Sequence, residues 1–106
     1  LNKTQKLADR YNNAKANALG SDVLLEVARA VFEGRVETLL VEADRIMPGR
    51  FDASTGKLEF GNIDDPECGD IIDYIVKAVM KDKGEVVVLP PEMMPTKTGL
   101  AAIFRY

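Results

Sequence analysis

The densest charge in this 106-residue chain lies between residues 64 and 73, where five carboxylates stand close together: Asp64, Asp65, Glu67, Asp70 and Asp73. Acidic clusters take up calcium when a glycine and a terminal glutamate stand at fixed loop positions. Neither does so here, and the cluster reads as the capped start of a helix. Glu42 and Asp44 follow an apolar run, at the end of a strand where open α/β sheets place their ligands. Two acids there would suit magnesium, yet prolines stand after Leu89 where a partner acid would be needed, so they read as solvated loop residues. The chain has no histidine, which excludes imidazole acid–base chemistry. Its single cysteine, Cys68, has no basic neighbours in sequence and reads as a plain, partly buried thiol rather than a nucleophile. Ser54-Thr55-Gly56-Lys57 and Pro95-Thr96-Lys97-Thr98-Gly99 lack the two-glycine spacing of a phosphate loop and the helix that follows one, and read as turns. No catalytic set, metal site or cofactor site is expected.

Met93-Met94-Pro95 carries the remaining chemistry. Methionines on adaptable surfaces serve partner binding; equally, they can close the apolar edge of a domain's own core. Both readings stand for this pair. The candidate partner-binding residues are Met93, Met94, Pro95, Thr96, Lys97 and Thr98, in the loop from Pro90 to Gly99.

Periodicity supplies the elements that would position this loop. Residues 1–19 read as a helix with Leu7, Tyr11, Ala14 and Ala18 on one face, expected to be a helix or linker from a preceding domain that rests loosely on this one. Gly20-Ser21-Asp22 is expected to break it and to cap the next helix. Leu24, Val27, Ala28 and Val31 form one apolar stripe, and Gly34 closes that helix in a left-handed conformation. Val36 to Val41 reads as a buried strand, reached by the short link typical of layered α/β domains. Arg50-Phe51-Asp52 and Lys57-Leu58-Glu59-Phe60 flank Ala53-Ser54-Thr55-Gly56 as a small exposed hairpin.

A helix from about Asp64 to Asp82 follows. Pro66 stands near its first turn, Ile72, Ile75, Val76, Val79 and Met80 form its apolar stripe, and Lys77, Lys81 and Lys83 complement its C-terminal dipole. Gly84 is expected to end it. Glu85 to Leu89 reads as a strand covered on both faces. The run Leu100 to Arg105 closes the fold beside strands already laid down.

The totals fit one domain over residues 21–106. Hydrophobic residues are 46% and charged residues 29%, ordinary for a globular protein. Apolar runs are too short to cross a bilayer. No signal peptide is legible, and a lone cysteine suits a reducing cytoplasm. The chain begins without methionine inside a helical pattern and is expected to be a piece of a longer protein. Its net charge of −3, with scattered cations, disfavours direct contact with RNA.

Two motifs carry a resemblance. Gly34-Arg35-Val36-Glu37-Thr38-Leu39-Leu40-Val41 resembles a Gly-Ala-Val-Glu-Thr-Leu-Leu-Ile type of segment in the third domain of archaeal and eukaryotic class 1 translation release factors, shared by Pelota-type ribosome rescue factors. Gly99-Leu100-Ala101-Ala102-Ile103-Phe104-Arg105-Tyr106 is similar to the Gly-Ile-Ala-Ala-Ile-Leu-Arg-Tyr type of ending of the same domain. The resemblance covers about residues 21–106 and suggests a pared-down, bacterial member. It implies a three-layer α/β/α sandwich with a small mixed central sheet, related to the kink-turn-binding ribosomal proteins. It also implies a noncatalytic domain that packs on its neighbours and contacts a translational GTPase or the ribosome. Peptidyl-tRNA hydrolysis belongs in that family to a Gly-Gly-Gln loop in another domain, and the tripeptide is absent here. The alternatives are a small structured-RNA binder using Thr96, Lys97 and Thr98, and a metal enzyme built on Glu42 and Asp44.

Overall fold

The computed structural model describes residues 3–106, with the side chains of residues 5–106. The elements run α1 (Lys3–Ala16), β1 (Gly20–Ser21), α2 (Leu24–Phe32), β2 (Val36–Glu42), β3 (Gly49–Asp52), β4 (Lys57–Phe60), α3 (Ile71–Lys81), β5 (Glu85–Leu89), a 3-10 turn (Pro91–Met93) and β6 (Leu100–Phe104). Four strands form one sheet in the order β1-β6-β2-β5, and β3-β4 is a separate hairpin. β6 is antiparallel to both neighbours, while β5 runs parallel to β2. The two motif strands are therefore adjacent at the centre, and the architecture is the mixed α/β sandwich expected.

Each face of the sheet has its own core. Val36, Leu39, Val41, Leu100 and Ala102 meet α2 and α3 through Val27, Val31, Ile72, Ile75 and Val79. Leu40, Leu89, Ala101 and Ile103 meet α1 through Leu7, Tyr11 and Ala14. A register shift between Val36 and Thr38 allows for this division. The bulge leaves Glu37 outside the alternation and brings Val36 onto the same face as Leu39. Leu39 and Leu40 are both fully buried, each contributing about 1.5–3 kcal/mol of apolar burial.

Helix α1 is a full layer of this sandwich, with no looseness in its packing: Tyr11 is 1% exposed. Arg10 reinforces the contact, reaching Glu37 at 2.9 Å and Glu85 at 3.9 Å. Gly20-Ser21 does break α1, but it then pairs with β6 as an edge strand instead of capping α2. The residue before α2 is Val23, whose own side chain makes no cap; the Val23 N–H donates to Ser21 Oγ, and that hydroxyl donates to Glu26.

The acidic cluster does not begin α3. Asn62 and Asp65 fold their side chains onto the backbone N–H two residues on, making turns of the acidic segment. The helix begins at Ile71 because Asp70 Oδ1 accepts from both Ile72 N and Met47 N at 3.0 Å. At its far end Met80 is 61% exposed, outside the apolar stripe. Lys77 lies outside the last turn, where Lys81 stands, and pairs with Asp73 at 2.9 Å along the helix. β5 is an edge strand: Val86 packs on the α2/α3 core and Val87 and Leu89 on the α1 core, so both faces are covered as expected, but incompletely, with Val88 61% exposed. The hairpin matches its expected residues, although Phe51 is buried against α3 rather than exposed.

All three helices stop in one way. A left-handed residue follows the cap, its N–H reaches back three residues, and the next N–H reaches back five. The left-handed positions are Ala18 (φ 60°), Gly34 (φ 70°) and Lys83 (φ 66°). Lys83, not Gly84, thus carries the unusual conformation at the end of α3. Gly84 is needed for space, since a Cβ there would lie 2.6 Å from Val79 Cγ1 and 3.0 Å from Val36 O.

The last residues are clamped. The guanidinium of Arg35 lies 5.1 Å from the Phe104 ring centre and 5.6 Å from that of Tyr106, and it donates to Tyr106 O at 3.0 and 3.1 Å. The same arginine, then Arg29, holds the Glu33 carboxyl below its ordinary pKa. No helix among the described residues is long and apolar enough to cross a membrane.

Two stability outcomes are expected. Lys83→Gly should raise unfolding stability by about 1 kcal/mol by relieving the left-handed penalty, whereas Gly84→Ala should lower it; urea titration checks both. The Tyr11 hydroxyl is buried without a hydrogen-bond partner among the described residues. Burial, then Asp22 and Glu26, pushes its pKa up to about 12 from 10.0. The folded state then keeps a proton that the unfolded state loses, so stability falls as pH rises through this window, by about 3 kcal/mol from this group. Tyr11→Phe should be neutral or mildly stabilising at pH 7 and should flatten the alkaline decline, as read by urea titrations at stepped pH.

Candidate docking surface

The loop after β5 is built by its prolines. Pro90 is extended (ψ 155°), Pro91 opens the single 3-10 turn, and Met94 leaves it extended. The turn then lies beside α1, next to Gln5, Ala8 and Asn12. Met94 packs on the core shared by Tyr11 and Leu40, and so closes the apolar edge. Met93 is 45% exposed. Met93, Met94 and Pro95 line a shallow cavity of about 290 Å³ with Gln5, Ala8 and Asn12 of α1. The two readings of the methionines therefore divide between them: Met94 serves the fold and Met93 faces solvent.

The other half of the loop faces elsewhere. Thr96 Oγ1 donates to Leu100 O at 2.9 Å. Thr98 Oγ1 lies 2.9 Å from Asp22 O, 3.2 Å from Asp22 Oδ2 and 3.3 Å from Leu100 O. Both hydroxyls thus stitch the loop to the body. The Lys97 carbonyl accepts from Arg45, while its side chain is exposed and makes no ion pair among the described residues. The structure groups Met93, Met94 and Pro95 against α1 but separates them from Thr96, Lys97 and Thr98.

Of the other candidates, Glu42 pairs with Arg45 at 3.4 Å and Asp44 turns the backbone at φ 61°. No group of three or more histidine, cysteine or acidic side chains that could hold a metal is assembled among the described residues. The Cys68 thiol is half-buried, with Sγ 3.5 Å from Gly69 O. Ser54 belongs to the hairpin turn, where its amide and hydroxyl donate to Asp52 Oδ1 at 2.9 and 2.6 Å. These bonds hold the Asp52 carboxyl below its ordinary pKa.

One feature escaped the sequence reading. A cleft of about 640 Å³ runs between the β3–β4 hairpin and α3, lined by Arg50, Phe51, Lys57, Tyr74, Lys77 and Lys81 among others. The signal was Tyr74, Lys77 and Lys81 at i, i+3 and i+7, which alone looks like any solvated helix face.

A four-stranded mixed sheet between α1 and the α2/α3 pair, with a hairpin inserted after β2, defines an α/β/α sandwich domain that presents loop and groove surfaces. No family model matches the sequence, and no curated protein matches it. Solved structures do. The chain is similar to part of a ribosome-bound archaeal Pelota and ABCE1 assembly, at 28% identity over 98% of this chain and 26% of that one, with a TM-score of 0.64. It is also similar to the C-terminal domain of a peptide chain release factor from Methanosarcina mazei, at 17% identity over 96% of this chain and 80% of that one, with a TM-score of 0.65. The chain thus spans about a quarter of the matched chain in the Pelota and ABCE1 assembly.

The division between the methionines has a measurable consequence. Met94→Ala should cost about 2 kcal/mol by opening the edge of the α1 core, whereas Met93→Ala should stay within about 0.5 kcal/mol of the parent. Thermal or urea unfolding of the two variants checks this.

Proposed function

We propose that this chain is a noncatalytic docking and scaffold domain of a release-factor-like, ribosome-associated protein that acts in translation termination or ribosome rescue. The observation that carries the reading is the 28% identity, over nearly the whole chain, to part of a ribosome-bound Pelota and ABCE1 assembly. The central pairing of β2 with β6 supports it, because the two sequence motifs are those strands. Its partners are the other domains of a longer parent protein and a translational GTPase or the ribosome, in the cytoplasm. The resemblance implies a sizeable insertion after the first core strand; here the β3–β4 hairpin stands there, and on that ground we read the chain as a pared-down member.

The contact surface is the Pro90 to Gly99 loop, with Met93 and Lys97 among its exposed residues. A phosphate-binding use of Thr96, Lys97 and Thr98 is disfavoured on two counts. The threonine hydroxyls are engaged with the body, and the Asp22 carboxylate stands 3.2 Å from Thr98, where it would repel a phosphate.

Co-sedimentation of the full-length parent with ribosomes tests this reading. Removal of residues 3–106, or the paired change Met93→Asp and Lys97→Glu, should reduce ribosome or GTPase association while the paired variant keeps its unfolding midpoint. Equal association and equal activity in the intact and shortened proteins would refute it.

A further inference from the structure

We infer that the cleft between the hairpin and α3 is a second docking site, and that its occupant is an acidic, amphipathic peptide segment of a partner protein. Tyr74, Lys77, Ala78 and Lys81 recur at i, i+3, i+4 and i+7 and form one continuous stripe of α3 along the cleft. The hairpin supplies the facing wall, with Arg50 opposite Glu59 and Asp52 opposite Lys57 across the strands.

The floor is apolar. Phe51 is 4% exposed, Ala53 and Ala78 flank it, and the Tyr74 ring is 38% exposed. The cavity, at about 640 Å³, falls in the size range of sites that enclose a ligand or several anchoring side chains.

The rim carries four cations, Arg50, Lys57, Lys77 and Lys81, against two carboxylates, Asp52 and Glu59. With Asp73, which pairs with Lys77, the local balance is still positive by one, on a chain whose net charge is −3. Asp52 is engaged in the hairpin turn by Ser54, and Glu59 and Lys57 engage each other at 3.0 Å, which leaves Arg50, Lys77 and Lys81 as the cations that face a ligand. Lys81 makes no ion pair among the described residues. Arg50 gives one hydrogen bond, to the Glu67 carbonyl at 3.2 Å. Lys77 pairs only with Asp73, an exposed i,i+4 pair of the kind that contributes little and exchanges readily.

An apolar floor inside a cationic rim matches a segment with apolar anchors on one side and carboxylates along its flanks. RNA fits less well. A polyphosphate brings a charge at every nucleotide past Asp52 and Glu59, and among the residues that line the cleft only Tyr74 offers an exposed ring for stacking. The cleft belongs to the α2/α3 side of the sheet, whereas the Met93 loop crosses the α1 side. The two sites can be filled together.

The test uses the 106-residue chain and a labelled helical peptide of about 20 residues with leucines at i and i+4 and glutamates between them. Its controls are the same peptide with glutamine for glutamate and a single-stranded oligouridylate. Fluorescence anisotropy should show saturable binding of the acidic peptide, weakened about tenfold or more by Lys77→Gln with Lys81→Gln and unchanged by Met93→Asp. Amide shift perturbations should centre on residues 50–59 and 74–81. The inference is overturned by no saturable binding, by equal binding of the glutamine peptide, by binding that survives the double lysine change, or by tighter binding of the oligouridylate. Both lysines are exposed, and an unchanged unfolding midpoint confirms that the double variant folds. Because Met93→Asp acts only on the loop surface, failure here and failure of the ribosome-association reading are separate results.

Discussion

The antiparallel pairing of β2 with β6 is the constraint on which the rest of the molecule depends. Leu39 opposes Ala102 and Leu40 opposes Ala101, and all four are fully buried. The two alanines point to opposite faces, so each face has a shallow centre over which a helix can settle. α1 settles over Ala101, and the α2/α3 pair over Ala102. Larger residues there would push the layers apart, since added methylenes in a filled core cost about 1–3 kcal/mol. The bulge at Glu37 is the second half of the constraint. It lets Val36 join the α2/α3 face and leaves Glu37 free to meet Arg10 of α1.

The layers are held at their margins by specific polar contacts that add little burial. Arg35 joins the end of α2 to the last residues of the chain by stacking and by hydrogen bonds. Asp70 fastens the start of α3 to the segment before the hairpin through Met47 N. Thr98 fastens the long proline loop to Asp22. The two candidate docking surfaces are by-products of this bracing. Both lie where a short irregular element, the proline loop or the hairpin, leans on a helix and leaves a cleft beside it.

Much of this order was legible in the sequence because periodicity reports which face is buried. The stripes of α2 and α3 and the hairpin around Gly56 follow from spacing and turn chemistry alone. The misreadings have physical causes. Glu85 to Leu89 is apolar enough for a central strand, and composition does not distinguish an edge from a centre when both faces meet helices. The acidic run offered several possible caps for α3. The choice fell on Asp70 because only it also captures Met47 N, a contact made by residues distant in sequence. Lys83 carries no sign of a left-handed residue, and the neighbouring Gly84 drew the reading to itself although its role is space against Val79 and Val36. The cleft was invisible for a related reason: Lys77 and Lys81 become a wall only once the hairpin packs beside them.

The position of β6 bears on how this domain is made. A sheet whose middle strand is supplied by residues 100–104 cannot assemble while that stretch is still inside the ribosomal exit tunnel. Until then the inner edge of β2 has no partner, and Leu39, Leu40 and Val41 stay open to mispairing. During that interval the helices, the hairpin and the parallel β2–β5 pair can form, while β1 has no strand to pair with and the layers lack Ala101 and Ala102 between them. Completion of the sheet, and with it the joining of β1 to the rest, therefore waits on the emergence of residues 100–104.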